Sequence, residues 1–224
     1  LQSRGLGDVY KRQVLSGAGY RIGRYVSPTL YSYRGRMEVS GSRISREDFA
    51  AYITQVSDVI AAMTKDGYPH PTAFEIETAV AFLFFKKENC DLVLLEVGMG
   101  GNLDATNIIK NTLLAVLVSI SMDHMEYLGD TLGAIAGQKA GIIKPGSRVV
   151  TCRQEKEAMD VIEQVCKEQG CPLYVGEKTQ AELVTADLDH MVFTYREETY
   201  MIHLAGSHQL ENAVPVSYTH LTLP

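Results

Sequence analysis

Two apolar runs near the middle of the chain constrain its fold more than any other feature. Residues 91–97 and 113–120 are largely apolar stretches of strand length, a pattern typical of strands covered on both faces. Strands of that kind belong to parallel sheets, because crossover helices cover both faces of such a sheet. The chain is therefore predicted to form an α/β domain on a mostly parallel sheet.

The remaining periodicity predicts helices and strands that alternate around these runs. Apolar spacing, with a capping box at Thr72 and Glu75, predicts helices at 46–63, 72–85, 131–140 and 156–168. Strands are predicted at 21–26, 148–152 and 173–175, and alternation over 181–204 predicts a hairpin with Glu197 and Glu198 near its turn. This order indicates a doubly wound or related three-layer α/β domain with a β-rich carboxyl-terminal edge.

Composition and net charge indicate which classes of binding partner the chain is suited to. The 224 residues can bury one sizeable core, and a net charge of −6 without a Lys/Arg run among aromatics excludes a nucleic-acid surface. No apolar run approaches the roughly 20 residues that cross a bilayer, so no membrane contact is expected. The four cysteines show neither a CxxC pair nor zinc spacing, which is typical of reduced thiols in a cytoplasmic protein.

Polar residues follow three of the predicted strands. Ligands of open α/β sheets bind outside the carboxyl ends of the strands, and those positions hold Ser27-Pro28, Glu96 with three nearby glycines, and Asp123-His124. A carboxylate such as Glu96 is costly to bury unless it is paired or bound to a cation. The glycines let backbone N–H groups approach a ligand.

Each of these residues also has a simpler interpretation. Glu96 could be a surface acid before a glycine turn, and His124 could be a divalent-metal ligand or an ordinary loop residue. A dinucleotide-binding loop is a third alternative. It is disfavoured because GMGGNL is not G-x-G-x-x-G and the acid precedes the glycines.

Lys139 occupies an unusual position on the predicted helix 131–140. It follows Leu132 by seven residues and Ala136 by three, which places it on the apolar face. A lysine there must extend to solvent, pair with an acid, or lose its charge. An amine with a lowered pKa can also react with carbon dioxide to give an anionic carbamate.

Four segments together resemble the folylpolyglutamate synthase and dihydrofolate synthase family of the Mur ligase superfamily. They are AGYRIGRYVSPTL at 18–30, EVGMGGNLDATN at 96–107, SISMDHMEYLGDTLGAIAGQKAGIIKPG at 119–146 and GSHQLENA at 206–213. The resemblance implies a Mur-ligase-like central domain. It also implies ATP-dependent ligation of L-glutamate to dihydropteroate or a folyl-(poly)glutamate through an acyl phosphate.

The same resemblance implies the cofactors and the roles of individual residues. Glu96 and His124 are expected to bind Mg²⁺, with Ser27 joining them at a second ion, and K⁺ is a further candidate cofactor. Lys139 matches a lysine that is carbamylated in the family. Substrate binding is expected at Asp104, Ala105 and Thr106, and Asn212 is expected near the adenine. The parent protein is expected to be a monomer.

The chain departs from the family pattern in several places. Asn102 stands where the family usually has Arg, and Gln138 where it usually has Glu. The phosphate-binding loop is absent upstream of Gly19, where LQSRGLGDVYKRQ stands instead. This chain alone is therefore expected to be inactive.

These departures give an expected division of the chain. Residues 1–13 and 215–224 resemble adapter sequence. Residues 14–205 are expected to form the ATP-dependent central domain without its phosphate loop, and 206–214 a hinge to a missing carboxyl-terminal domain.

Two other functions stay open at this point. A Mur-type ligase that joins amino acids to a UDP-muramoyl peptide would share much of the pattern, but LDATN and SPTLYSY match the folate branch. A dinucleotide-binding oxidoreductase is the other alternative. The sequence leaves open whether the parent adds the first glutamate, later ones, or both.

Overall fold

The computed structural model describes residues 15, 17–29, 32–177, 181–187, 190–202 and 213. The expected terminal segments 1–13 and 215–224 lie outside these residues, as does the expected hinge 206–214 apart from residue 213. The chain is divided into two compact units. The first unit holds the described residues up to Met99 together with Asp104–Ile108, and the second holds Gly100–Leu103 and the described residues from Ile109 onwards.

The first unit contains a four-stranded mixed sheet. Its strands are β1 (Ile22–Tyr25), β2 (Met37–Val39), β3 (Ser42–Arg43) and β4 (Leu92–Leu95), in the order β3-β2-β1-β4. β1 is antiparallel to β2 and parallel to β4, with Tyr25 opposite Leu95. The carboxyl ends of β1 and β4 therefore lie side by side at one edge of the sheet.

Two helices complete the first unit. α1 (Arg46–Lys65) begins at Ser45, whose side chain accepts the Asp48 N–H, and α2 (Ala73–Lys87) begins with the predicted capping box. The α1 residues Phe49, Tyr52, Ile53 and Val56 pack against a buried cluster, which agrees with the apolar spacing that predicted this helix. That cluster comprises Tyr25, Met37, Val39, Ile44, Val80, Ala81, Phe84 and Phe85. Among the described residues, no helix is both long enough and apolar enough to cross a membrane.

This core also contains a buried ion pair. Arg36 donates to Glu77, and only 16% and 8% of their side-chain surfaces are exposed. Burial raises the pKa of the Glu77 carboxyl, and the neighbouring Arg36 opposes that rise. Next to it on α2, the Thr78 hydroxyl donates to the Tyr25 hydroxyl at 3.2 Å. Arg36 and Glu77 are thus internal structural residues of this unit.

The second unit contains a parallel sheet with helices. Its strands are β5 (Leu114–Leu117), β6 (Arg148–Cys152) and β7 (Leu173–Gly176), with β6 in the centre. The helices are α3 (Met125–Leu128), α4 (Leu132–Ala140) and α5 (Lys156–Glu168). Their shared core comprises Ala115, Leu117, Ile120, Leu128, Ile135, Ala136, Ala140, Ile143, Val149, Ala158, Ile162, Cys166 and Cys171.

The region after residue 180 forms three antiparallel strands, where the sequence had predicted one hairpin. They are β8 (Ala181–Ala186), β9 (Met191–Tyr195) and β10 (Glu198–Ile202), with β9 in the centre. Arg196 and Glu197 form the β9–β10 turn with φ of 52° and 68°, the left-handed values of a tight hairpin turn. Alternation alone does not reveal how many strands share a sheet.

The expectation of strands covered on both faces is wrong for residues 91–97, and in β5 only alternate residues are buried. In β4 no residue is fully buried, and Val93 is 38% exposed. In β6, by contrast, Val149, Val150 and Thr151 are all 0% exposed. β4 is an edge strand of its sheet, whereas β6 is the central strand of its sheet.

The capping box of α2 gives the first test. Thr72 accepts the Glu75 N–H, and Glu75 accepts the Thr72 N–H at 2.7 Å. Those bonds from Thr72 hold the Glu75 carboxyl pKa below its ordinary value. We expect Thr72→Ala to lower the free energy of unfolding by about 1 kcal/mol, because helix-end N–H groups lose their acceptor.

Thr54→Ala is the matched control for that substitution. Thr54 is exposed inside α1, where its hydroxyl only bonds back to the Ala50 carbonyl at 3.0 Å. Since alanine is the better helix former, urea unfolding should show no loss and a gain of up to about 0.5 kcal/mol. Equal losses for both variants would contradict a capping role for Thr72.

Candidate functional site

Ser27 and Glu96 meet at the carboxyl edge of β1 and β4. The Glu96 N–H donates to the Tyr25 carbonyl at 2.9 Å, which continues the strand pairing by one step. The Ser27 N–H then donates to the Glu96 carboxylate at 3.1 Å. Both residues are half-buried. The structure therefore brings together two of the residues expected to bind metal.

The chemistry of this pair fits a hard divalent cation. Mg²⁺ prefers oxygen ligands and keeps several water or phosphate oxygens in its shell. A carboxylate offers about four lone-pair positions, of which the Ser27 N–H takes one. The Ser27 hydroxyl adds a neutral oxygen. No cluster of three or more His, Cys, Asp or Glu suited to a metal occurs in the described part of the chain. Substrate and water oxygens would have to complete the shell.

The Asp104 carboxylate closes the loop that follows the glycines in the first unit. One oxygen accepts the Met99 N–H at 2.9 Å, and the other accepts the Thr106 N–H and hydroxyl at 2.9 and 2.5 Å. Ala105 begins the short 3-10 helix Ala105–Ile108, and Thr106 is buried. Asp104 and Thr106 thus hold the loop in shape, and their expected part in substrate binding stays a prediction.

Phe74 lies beside this loop and was missed by the sequence reasoning. A Cβ on Gly98 would lie 2.8 Å from the Phe74 ring and 3.1 Å from the Asp104 carboxylate. On its other side, Phe74 stacks with Tyr25 at a centroid distance of 5.8 Å. The absent Gly98 side chain therefore lets the loop backbone approach an aromatic ring. The capping box placed Phe74 in the first turn of α2, but nothing in the sequence indicated its neighbour.

His124 lies in the second unit at the amino end of α3. Its backbone is left-handed, with φ of 53° and ψ of 37°, a conformation that is uncommon for residues other than glycine. The Asp123 carboxylate accepts the His124 N–H at 3.0 Å and also lies 3.7 Å from the His124 ring nitrogen Nε2. The imidazole is half-exposed, and the Asp123 carboxylate is a charged neighbour of the ring that lies beyond hydrogen-bond distance.

Lys139 lies in the last turn of α4. Ile135, Ala136 and Ala140 around it are buried, and Lys139 itself is half-buried. Its position beside the apolar face agrees with the helical spacing. Half-burial is compatible with extension to solvent, with pairing and with carbamylation, so the carbamate stays a prediction.

The last glycine of the loop packs against the same helical turn. A Cβ on Gly101 would lie 2.6 Å from the Gln138 carbonyl oxygen and 2.9 Å from that of Lys139. The Asn102 N–H donates to the Gln138 carbonyl at 2.8 Å. Gly141 is equally close, since its Cβ would lie 2.6 Å from the Asn102 backbone. This contact is made by backbone atoms, so it does not depend on the side chains at 102 and 138.

The glycines were expected to let the backbone approach a ligand. The structure shows that they also allow close packing. Gly98 and Gly101 meet a ring and a helix end, and Gly100 has a φ of +70° that favours glycine. Asn212, expected near the adenine, lies outside the described residues.

Comparison with known proteins identifies the family. The family described as "Mur ligase middle domain" matches residues 46–219. The chain belongs to the Mur ligase family. Its relatives place it in the folylpolyglutamate synthase and dihydrofolate synthase branch, which confirms the resemblance inferred from the sequence.

Three similar proteins define that branch. A dihydrofolate synthase/folylpolyglutamate synthase of Bacillus subtilis is 37% identical over 210 residues, covering 90% of this chain and 48% of that protein. A folylpolyglutamate synthase structure from Thermotoga maritima is 31% identical with a TM-score of 0.83, covering 98% and 52%. A folylpolyglutamate synthase complex with AMPPCP and folate is 25% identical with a TM-score of 0.86, covering 99% and 56%.

These likenesses confirm the Mur-ligase-like α/β fold class. The parallel β5-β6-β7 sheet with its helices and the antiparallel β8-β9-β10 sheet agree with the predicted architecture. The chain spans about half the length of these relatives.

The packing of Gly101 gives the second test. Gly101→Ala should lower the free energy of unfolding by about 2 kcal/mol, because two backbone carbonyl oxygens cannot move away cheaply. Gly137→Ala in α4 is the control, since its Cβ would meet nothing within 4 Å. Thermal and urea unfolding should show that this control gains about 0.5–1 kcal/mol. A Gly101→Ala variant as stable as the wild type would contradict the close contact.

Proposed function

We propose that the full-length protein carrying this chain joins L-glutamate to dihydropteroate or a folyl-(poly)glutamate, using ATP. The observation that carries this proposal is the Ser27–Glu96 pair at a strand edge of a Mur-ligase-family domain. The Bacillus subtilis relative is named for both synthase activities, and a similar enzyme was solved with AMPPCP, an ATP analogue, and folate.

The proposed reaction has two steps. A substrate carboxylate oxygen attacks the γ-phosphorus of ATP, forming an acyl phosphate and releasing ADP. The amino group of L-glutamate then attacks the acyl carbon, forming the amide and releasing inorganic phosphate and a proton. Both steps depend mainly on positioning reactants and neutralising phosphate charge.

Glu96, Ser27 and His124 are the residues we propose as magnesium ligands. The Ser27 N–H fixes one edge of the Glu96 carboxylate, which limits the rotamers available to it. In the second unit, the Asp123 carboxylate accepts the backbone N–H of His124 and lies near its imidazole. Magnesium, when bound, would neutralise negative charge on the phosphate groups. K⁺ would be a further ion, although no described contact favours a site for it.

The roles of the remaining residues are proposed from the family resemblance. Lys139 is proposed to act as a carbamate, which would supply an anionic group beside the helix end. Asp104, Ala105 and Thr106 are proposed at the pterin end, where the Phe74 ring offers an aromatic neighbour. Asn212 is proposed near the adenine. All four cysteines are free thiols, which supports a proposed cytoplasmic location, and the full-length protein is proposed to be a monomer.

A substrate panel tests the activity. Full-length protein would be supplied with ATP, Mg²⁺ and labelled L-glutamate, together with dihydropteroate, a folyl monoglutamate or a UDP-muramoyl peptide substrate. Labelled glutamate should be joined to dihydropteroate, to the folyl monoglutamate or to both, with one phosphate released per amide formed. Incorporation with the UDP-muramoyl substrate alone would contradict the proposal and favour a cell-wall ligase.

Glu96→Gln tests the proposed site within that assay. The substitution keeps the shape and an acceptor for the Ser27 N–H but removes the charge, so kcat should fall by about 10²–10³-fold. Glu163→Gln makes the same change at an exposed position of α5 and should leave kcat unchanged. Equal activity of the two variants would contradict a ligand role for Glu96.

A further inference from the structure

Gln154 is a buried polar residue outside the proposed chemistry. It follows the central strand β6 by two residues, and only 8% of it is exposed. A buried carboxamide must satisfy both its oxygen and its nitrogen, because an unpaired polar group costs free energy. Its partners therefore show what the residue holds in place.

The Gln154 carboxamide bonds to the main chain beyond the end of β5. Its oxygen accepts the Ile120 N–H at 2.9 Å, and its nitrogen donates to the Val118 carbonyl at 3.1 Å. In a parallel sheet, the N–H and C=O of one residue make the same pair of bonds to residues two apart on the next strand. The last main-chain pair of this ladder is Leu117 with Thr151. The side chain thus makes the bonds that the backbone of a further β6 residue would make, and it extends the β5–β6 ladder.

Neighbouring side chains hold the carboxamide in this orientation. Its nitrogen also lies 2.9 Å from the Thr151 hydroxyl and 3.3 Å from the Cys152 sulfur. The Thr151 hydroxyl in turn donates to the Leu117 carbonyl at 2.9 Å. Thr151 is fully buried. This network fixes the orientation of the Gln154 carboxamide, with its oxygen towards the Ile120 N–H and its nitrogen towards the Val118 carbonyl.

The segment held by Gln154 leads directly to His124. Ile120 is buried with 7% of its surface exposed, and His124 follows it by four residues. Between them the Asp123 N–H donates to the Ser121 carbonyl at 2.8 Å, which tightens the turn. The bonds at Ile120 thus hold the strand end four residues before the exposed imidazole.

We infer that Gln154 is a positioning residue that fixes the strand end from which His124 is presented. Gln154 makes no described contact with His124 and acts through Val118 and Ile120. The consequence for metal binding rests on the proposed function, since it takes His124 as a magnesium ligand. The positioning itself depends only on the hydrogen bonds.

Amide hydrogen exchange on this chain, followed by NMR, tests the positioning. Gln154→Met keeps the length but removes both polar atoms, so the Ile120 amide should exchange about 10- to 100-fold faster. Gln154→Glu keeps the acceptor and loses the donor, and should give a smaller increase. Gln164→Met changes an exposed glutamine on α5 and is the control, with no change expected at Ile120. Unchanged exchange at Ile120 in both Gln154 variants would overturn the inference.

The His124 ring signals separate positioning from overall stability. In both Gln154 variants these signals should shift or broaden, while amides of α5 keep their protection. Equal loss of protection throughout the second unit, with unmoved His124 signals, would overturn the positioning role. Titration with Mn²⁺ should broaden the His124 signals in the wild type and require several-fold more metal in Gln154→Met. If Mn²⁺ does not broaden the His124 signals of the wild type, the metal role of His124 is overturned. The hydrogen-exchange result then decides whether Gln154 positions the strand end.

Discussion

The backbone contact between Gly101–Asn102 and the end of α4 is the constraint on which the second unit depends. The last carbonyl groups of a helix have no partner within it, and the Asn102 N–H supplies one for Gln138 at 2.8 Å. Such an approach requires that neither Gly101 nor Gly141 carries a side chain. The turn held in this way carries Lys139, so its backbone position is fixed independently of its own side chain.

Both units extend a parallel strand pair with a side chain. In the first unit the Glu96 carboxylate accepts the Ser27 N–H just beyond the Tyr25–Leu95 pair. In the second unit the Gln154 carboxamide accepts the Ile120 N–H beyond the Leu117–Thr151 pair. Residues after a strand end are normally the most mobile part of a sheet edge. A side-chain acceptor holds a residue two or three positions beyond each strand end, and chemistry at strand ends needs groups that are held in place.

Local signals in the sequence predicted what depends on local physics. The capping box, the bounds of α5 and β6 and the turn at Glu197 follow from neighbouring residues, and the structure has them as predicted. The meeting of Ser27 with Glu96 also followed, because the ends of parallel strands share an edge.

Contacts between residues distant in sequence were not predictable in the same way. The burial of the Arg36–Glu77 ion pair becomes evident only once α2 packs on the sheet. The contact of Gly101 could be recognised only once the position of α4 was known, and the hydrogen bonds of Gln154 only once the end of β5 was known. The alternation of apolar and polar residues over 181–204 predicted β-strands but not their number.

Diffraction from crystals of the full-length protein grown with an ATP analogue and Mn²⁺ tests the site most directly. Anomalous differences at the manganese edge locate the metal independently of its surroundings. A peak at about 2.1–2.3 Å from a Glu96 carboxylate oxygen is expected, close to the usual metal–oxygen distance. A peak at the nucleotide phosphates with Glu96 outside coordination distance would contradict the proposed site.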